Sequence, residues 1–126
     1  MKIKKKEEQN LANIFNIIGN GTNIKGDINT KNDIRIDGFV LGNVKTEGKL
    51  IIGEHGTIEG EINVKIADIS GVFKGKLFAT ELVILRKTSK VEGELTTKKI
   101  VIEEGGIFNG TISMKEKLEK TDSKIG

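Results

Sequence analysis

The apolar and polar positions of this chain repeat in one pattern, which is centred on glycine. Residues 58–62 read IEGEI, and the same order of apolar, charged, glycine, charged and apolar residues returns as FKGKL at 73–77 and as VEGEL at 91–95. Counted from the central glycine, six copies follow one another at intervals of 15 to 18 residues. The central residues are Gly26, Gly42, Gly60, Gly75, Gly93 and Gly110.

The copies agree well beyond the glycine. In all six, the residues two before and two after it are apolar, the residue four before it is small, and the residue eight before it is apolar. Alternation with a period of two predicts strands that turn one face inward, and the small residues predict tight corners. The residues eight before the glycine are Ile18, Ile34, Ile52, Ala67, Leu85 and Ile102.

This repeat predicts an all-β fold. Each copy is long enough for three strands of about four residues, which close one three-sided coil, and stacked coils pair their strands in parallel about 4.8 Å apart. We therefore predict a parallel β-helix of about six coils over residues 16–114, with flexible tails at 1–15 and 115–126. The repeat alone fits a coil of either hand.

The charged positions beside the glycine change sign from one copy to the next. In a parallel stack, equivalent residues lie over each other, so opposite charges attract by about 0.2–1 kcal/mol per pair and like charges repel. The alternation therefore supports the register that the apolar positions indicate. One predicted outer column contains Glu59, Lys74 and Glu92, and the next contains Glu61, Lys76 and Glu94.

The N-terminal segment carries a separate apolar pattern behind a run of lysines. Leu11, Ile14, Phe15 and Ile18 have the i, i+3, i+4, i+7 spacing of a short amphipathic helix. Such a segment could contact an anionic membrane, with Lys4, Lys5, Lys6, Leu11, Ile14 and Phe15 as the candidate contacts. Alternatively, these residues cap the first coil, because solenoids need their ends covered.

The composition offers little for catalysis or for ligand binding. The chain of 126 residues has no Cys and one histidine, His55, whose place in the repeat points it outward, and no serine has a plausible catalytic partner set. The net charge of +3 arises from interleaved charges rather than from a basic patch, and no phosphate-binding loop occurs, so we expect no nucleic acid, nucleotide, metal or cofactor. Without Cys or an apolar secretory segment, we expect a cytoplasmic protein, with the N-terminal segment as its candidate link to a membrane.

One enzymatic alternative fits part of the repeat. Apolar positions six residues apart, such as Ile52, Ile58 and Val64, are also found in hexapeptide-repeat acyltransferases, which fold as left-handed β-helices. Against this alternative, the coils vary between 15 and 18 residues, and the chain lacks the extra loops and helix that would shape a substrate cleft.

Taken together, the repeats resemble those of the bactofilins. The resemblance covers about residues 17–114 and is carried by stretches such as IRIDGFVLGNVKTEGKLIIGEHGTIEGEI at 34–62 and IVIEEGGIFNGTI at 100–112. It implies a right-handed β-helix of triangular section and a bacterial cytoskeletal protein, not an enzyme, that polymerises end to end without nucleotide into filaments with no overall polarity. It also implies a scaffold for cell-shape or cell-wall enzymes, and in some members an N-terminal attachment to the inner membrane.

The β-helix itself gives a reason for self-assembly. The first and last coils have unpaired backbone groups and apolar residues with no further coil to cover them, so each end can template another copy. Phe108 is the strongest candidate for an end contact, because it is bulky and inward-facing in the last copy, although it could equally close the core. A monomeric adaptor whose tails recruit partners is the remaining alternative. The predicted interface residues are Ile18, Ile24 and Ile28 at one end, and Ile102, Phe108, Ile112 and Met114 at the other.

Overall fold

The computed structural model describes residues 16–115, which form one continuous parallel β-solenoid. Every strand pairing in this part of the chain is parallel, and no helix occurs within it. The predicted all-β parallel β-helix of about six coils is therefore confirmed. The strands are β1 (Asn16–Ile18), β2 (Asn23–Lys25), β3 (Ile28–Thr30), β4 (Ile34–Ile36), β5 (Phe39–Leu41), β6 (Val44–Thr46), β7 (Lys49–Ile52), β8 (Thr57–Ile69), β9 (Val72–Leu85), β10 (Lys90–Ile102) and β11 (Ile107–Met114).

The strand pairings arrange the chain into three faces, which we call A, B and C. Face A contains β1, β4, β7 and residues 66–69, 82–85 and 99–102. Face B contains β2, β5 and residues 57–59, 72–74, 90–92 and 107–109. Face C contains β3, β6 and residues 61–64, 76–79, 94–97 and 111–114. Coils 1 to 6, each taken in the order A, B, C, then span 16–30, 34–46, 49–64, 66–79, 82–97 and 99–114.

The central glycines of the six repeat copies form one column at the corner between faces B and C. Each has a positive φ, between 131° and 151°, which L side chains rarely adopt. A Cβ on Gly93 would also fall well inside contact distance of the carbonyl oxygen of Gly75 in the coil below, and the same holds up the column from Gly42 to Gly110. Glycine is needed here because the backbone turns and two coils approach closely at the same point.

The core is one continuous cluster of apolar, mostly aliphatic side chains that runs along the inside of the coils. Among coils 2 to 5 the inward residues are almost wholly buried, and Phe73 is the largest of them. β-Branched residues dominate because they pack well on the pleated inner surface of a strand. The buried core comprises Ile34, Ile36, Val40, Val44, Leu50, Ile52, Ile58, Ile62, Val64, Ala67, Ile69, Phe73, Leu77, Ala79, Val83, Leu85, Val91 and Leu95.

One predicted column proves to be two. The residues eight before the central glycine do not all stack on one another. Ile18 and Ile52 lie in one column of face A, with Ile36 between them, whereas Ile34 lies in the neighbouring column with Leu50. The cause is the corner between faces A and B, which is two residues shorter between Ile36 and Val40 than between Ile52 and Ile58. Where this corner is two residues shorter, the residue eight before the glycine therefore lies one inward position earlier on face A. The same holds in coil 4, where Ala67 lies in the column of Leu50.

Candidate assembly interface

The coil-6 end of the solenoid exposes side chains whose counterparts one coil below are buried. Ile102 stacks on Leu85 and Met114 stacks on Thr97, and both lower residues are fully buried. Ile102 is nevertheless 47% exposed and Met114 is 53% exposed. These two side chains have the inward register of the core, but no further coil lies above them within residues 16–115.

Phe108 and Ile112 continue the core to the same end. Phe108 lies over Val91 and Ile112 lies over Leu95, and both upper residues are partly buried and pack against the core. Their inner sides therefore close the core, while their outer sides face the end of the rod. Both roles that the sequence left open for Phe108 are compatible with this position.

The coil-1 end is built from the other three predicted residues. Ile18, Ile24 and Ile28 lie below Ile36, Val40 and Val44, one on each face. All three are partly buried and pack against the core, whereas the residues above them are fully buried. Each end thus presents a triangle of apolar side chains.

Unpaired strand edges surround both triangles. Within residues 16–115, the strands of coil 1 pair only with coil 2, and the strands of coil 6 pair only with coil 5. In this part of the chain, the outer backbone N–H and C=O groups of both coils therefore have no strand partner, and such an edge can pair with another strand. An apolar centre with a hydrogen-bonding edge is a surface suited to continuing the stack.

Sequence reasoning missed one residue of the coil-6 triangle. Ile100 is partly buried, packs against the core and stacks on the fully buried Val83. It belongs to the second inward column of face A, which the fixed offset from the glycine did not separate from the first. The alternation of Ile100 with Ile102 was the available signal.

The Glu–Lys–Glu columns have the predicted register but do not form salt bridges. Lys74 stacks between Glu59 and Glu92, and Lys76 stacks between Glu61 and Glu94. In the part of the chain that the structure describes, the salt bridges are made by other residues. The structure therefore confirms the register of these charges and shows no direct contact between them.

Arg86 ties the last three coils together at the corner that follows face A. Its guanidinium donates two hydrogen bonds to Asp68, at 3.0 and 2.8 Å, and a third to Glu103, at 2.9 Å. The other oxygen of Glu103 accepts a hydrogen bond from the backbone N–H of Lys87, at 3.1 Å. The hydrogen bonds to Asp68 and then to Glu103 raise the pKa of Arg86 above its usual value. Coil 6 is thereby joined to coils 4 and 5 by side chains as well as by its backbone ladder.

The predicted residues outside the interface are placed as follows. His55 is exposed in the turn before β8, as its offset predicted. Within residues 16–115, no group of three or more His, Cys, Asp or Glu side chains could hold a metal ion. No helix long and apolar enough to cross a membrane occurs there either. The candidate membrane contacts Lys4, Lys5, Lys6, Leu11, Ile14 and Phe15 lie outside the described residues.

The architecture of residues 16–115 defines a class of protein: a parallel β-solenoid in which apolar side chains and unpaired strand edges lie at both ends of the described part of the chain. Comparison with known proteins gives the same class, because the family described as "Bactofilin: Polymer-forming cytoskeletal" matches residues 16–113. The chain therefore belongs to the bactofilin family.

Individual relatives agree with this assignment. The chain is 29% identical over 98 residues to Bactofilin BacO of Myxococcus xanthus, which covers 78% of each chain. It is 29% identical over 110 residues to Bactofilin BacP of the same organism, covering 86% of this chain and 46% of BacP. Among solved structures it resembles a bactofilin from Thermus thermophilus, crystallised as a phenylalanine-to-arginine mutant, with 36% identity and a TM-score of 0.68 over 71% of this chain and all of that one.

Proposed function

We propose that this protein assembles end to end, without nucleotide, into nonpolar filaments that act as a scaffold for cell shape or for cell-wall machinery. The observation that carries the proposal is the loss of burial at the coil-6 end, where Ile102 and Met114 keep the inward register of the core and are about half exposed. The family is described as polymer-forming and cytoskeletal, which supports the same function.

The driving force is burial of the end triangles. Covering apolar surface is worth about 25 cal/mol per Å², and fully burying one Leu or Ile side chain stabilises by roughly 1.5–3 kcal/mol. Ile102, Phe108, Ile112 and Met114 on one end, and Ile18, Ile24 and Ile28 on the other, would each gain part of that amount on contact. Hydrogen bonds between the outer strand edges would fix the orientation of one subunit's end coil on that of the next subunit.

Contacts between like ends make the filament nonpolar. If two coil-6 ends meet around a twofold axis, each triangle packs on its own copy, and two coil-1 ends can meet in the same way. Alternating the two contacts extends the rod without limit, and successive subunits point in opposite directions. No step of this assembly needs a nucleotide, and the sequence has no phosphate-binding loop.

The remaining parts of the proposal concern the setting of the filament. We place it in the cytoplasm, with cell-wall enzymes as its partners, and with the segment 1–15 as its link to the inner-membrane surface. The lysines at 4–6 and the apolar residues Leu11, Ile14 and Phe15 support that link by their pattern alone. We propose no catalytic role.

Electron microscopy of the purified protein in moderate salt, with no nucleotide added, tests the proposal directly. We expect long unbranched filaments, together with sedimentation of most of the protein at high speed. A purely monomeric sedimentation profile would favour the adaptor alternative. Discrete trimers that bind an acyl donor would favour the acyltransferase alternative.

A further inference from the structure

The coil-6 strand of face A has a charge pattern that is complementary to itself. Together with its flanking corner residues it reads KKIVIEE at 98–104, so that two lysines precede three branched aliphatic residues and two glutamates follow them. Lys98, Lys99 and Glu104 are exposed, and within residues 16–115 none of the three has an ionic partner. A second copy of the segment that runs antiparallel to the first would set each lysine opposite a glutamate. We call residues 98–104 the self-complementary segment.

The backbone of this segment suits such a pairing. The N–H of Glu103 donates to the carbonyl oxygen of Leu85 in coil 5, at 2.8 Å. Because backbone groups point to alternate sides along a strand, those of Ile100 and Ile102 point away from coil 5, and no strand pairs with them within residues 16–115. An antiparallel copy that sets Ile100 opposite Ile102, and Val101 opposite itself, would let the isoleucines exchange hydrogen bonds and would keep their side chains inward.

The charges agree with this register. Lys99 would lie opposite Glu103 of the second copy and Lys98 opposite its Glu104, and the twofold axis would repeat both pairs. A register two residues away in either direction also keeps the isoleucines inward, but it would set Lys99 or Glu103 opposite the apolar Val101. Only the register centred on Val101 satisfies the side-chain orientation, the hydrogen bonds and the charges together.

The other two faces of coil 6 fit the same axis. A twofold axis through the middle of face A crosses the triangle again at the opposite corner, between faces B and C, where Gly110 lies. Face B of one copy would then lie over face C of the other. Phe108 and Ile112 stand two residues before and two after Gly110, so each would meet the other across the junction. Gly110 has no side chain to obstruct the approach of its own copy.

Both remaining twofold arrangements bring like charges together. An axis through face B crosses the corner between faces C and A, where Lys98 lies close to Lys115, whose N–H donates to the carbonyl oxygen of Thr97. An axis through face C crosses the corner between faces A and B, where Glu103 and Glu104 lie. Juxtaposed like charges cost free energy, so they count against both arrangements.

Stacking of coil 6 on coil 1 of another copy gives no Lys–Glu pairs at this corner either. Continuing the parallel ladder would set Ile102 below Ile18 of the next subunit. The two glutamates that follow Ile102 would then lie below Gly19 and Asn20, which carry no charge. The self-complementary segment therefore favours a contact between like ends.

We propose that the self-complementary segments of two copies pair antiparallel about a twofold axis at Val101, and that their Lys–Glu pairs select this arrangement of the coil-6 junction. The inference rests on the end-to-end function proposed above and adds the register and the specificity of one junction. Exposed ion pairs stabilise little, so the charges determine which arrangement forms, while burial of the apolar triangle drives assembly.

Exchange of charge between two variants tests the pairing. Lys98→Glu and Glu104→Lys each put like charges at both symmetric positions of the junction. In low salt, where the Debye length is about 10 Å or more, each variant alone should need a roughly tenfold higher concentration than the unmodified protein to form filaments. An equimolar mixture of the two, and the double variant Lys98→Glu/Glu104→Lys, should assemble like the unmodified protein, because glutamate again meets lysine. Sedimentation and electron microscopy measure the assembly.

Charge stacking inside one subunit predicts a different result. Glu104 follows Glu103 into the turn above Lys87, so Glu104→Lys also changes a contact within the subunit. Mixing cannot repair such a change, and recovery in the mixture therefore identifies a contact between subunits. Two impaired variants that recover neither on mixing nor in the double variant would overturn the register. Unimpaired assembly of both single variants in low salt would overturn the role of the charges.

Single cysteines test the position of the axis, because the chain has no cysteine of its own. Val101→Cys would put two thiols opposite each other, within reach of a disulfide, whose Cα atoms are usually about 4.4–6.8 Å apart. Thr111→Cys, exposed on face C of the same coil, and Ile84→Cys, one coil below Val101, are the matched controls. After mild oxidation of filaments, we expect disulfide-linked dimers from Val101→Cys at several times the yield from either control.

The outcomes separate this junction from filament formation itself. Normal filaments that give equal dimer yields at the three positions, or a higher yield from Thr111→Cys, would overturn the axis at Val101 and leave the end-to-end function intact. High yields from both Ile84→Cys and Val101→Cys would assign the contact to the outer side of face A and would also overturn the junction. A complete absence of filaments in the unmodified protein would overturn the end-to-end function together with it.

Discussion

Phe108 lies directly over Val91 in the parallel ladder, and the two residues differ sharply in burial. Val91 is only 3% exposed, whereas Phe108 is partly exposed although it has the same inward orientation. The difference arises because, within residues 16–115, no further coil follows the one that contains Phe108. In a filament, the corresponding surface of another copy would take that place.

The first prediction is that Phe108→Arg abolishes filaments and leaves the β-solenoid folded. An arginine at this position would carry its charge into the junction, where burying it without a partner costs several kcal/mol. A loss of about 3 kcal/mol raises the concentration needed for assembly by roughly 100-fold. Negative-stain microscopy measures the filaments, and circular dichroism measures the β-structure.

Phe78→Arg is the matched control for this change. Phe78 is a partly buried phenylalanine that points outward from face C in the middle of the rod, at neither end. We expect its substitution to leave filament length unchanged. Intact filaments from folded Phe108→Arg protein would exclude Phe108 from the end contact.

The second prediction concerns the glycine column. Gly75→Ala should lower the free energy of unfolding by about 2 kcal/mol or more, because it adds the strain of a positive φ to a collision with the backbone of Gly60. Gly26→Ala isolates the strain, since Gly26 also has a positive φ of 135° but a Cβ there would meet no atom within 4 Å. Urea unfolding of both variants, under conditions where sedimentation shows no polymer, gives the comparison. Equal losses at the two positions would mean that close stacking of the coils contributes nothing.

The third prediction concerns the bridge that Arg86 makes between coils. Arg86→Gln should lower the free energy of unfolding by about 1–2 kcal/mol, because Asp68 is 8% exposed and would lose a bidentate partner. The figure is modest because the arginine side chain itself is partly exposed to solvent. Amide hydrogen exchange should quicken most in coil 6, which Glu103 anchors.

Lys65→Ala is the control for this bridge. It removes a pair with Glu81 that is longer, at 3.8 Å, and about half exposed at both side chains. We expect a change within about 0.5 kcal/mol. The raised pKa of Arg86 keeps its side of the bridge charged at every pH below the ordinary arginine value, so the contribution of Arg86 to stability should be the same from pH 7 to pH 10. If the contribution of this bridge to the free energy of unfolding fell between pH 7 and pH 10, that result would contradict a raised pKa of Arg86.

Much of the fold was predictable because a stacked solenoid repeats one physical requirement in every coil. The apolar residues on either side of Gly60 and Gly75 identified the inward positions, and the sign change from Glu59 to Lys74 identified the stacking partners. Each signal is local in sequence and recurs, so errors in one copy are corrected by the others. The resemblance to the bactofilins then implied a right-handed coil, which stays a prediction.

The features that sequence reasoning missed are those that depend on the corners. Because the corner between Ile36 and Val40 is short, Ile34 is the residue eight before the glycine although it lies in the other inward column of face A. The sequence pattern therefore merged the two columns, and Ile100 was not recognised as an end residue. The bridge from Arg86 to Asp68 joins residues 18 apart that meet only after the corners are placed.

The last prediction tests whether the charge columns stabilise the stack at all. Lys76→Glu would place three glutamates over one another, at 61, 76 and 94, where opposite charges now alternate. Each of the two affected neighbour pairs is worth about 0.2–1 kcal/mol, so reversing Lys76 should lower the free energy of unfolding by about 1 kcal/mol or slightly more. Since no direct salt bridge is present in these columns within residues 16–115, the effect should be screened, and most of it should disappear in 1 M salt, where the Debye length is about 3 Å. Urea unfolding of Lys76→Glu and Lys76→Gln at low and high salt separates loss of attraction from added repulsion. A loss of stability that salt leaves unchanged would mean that Lys76 acts through packing of its methylene chain and that the alternation of charge has no energetic role.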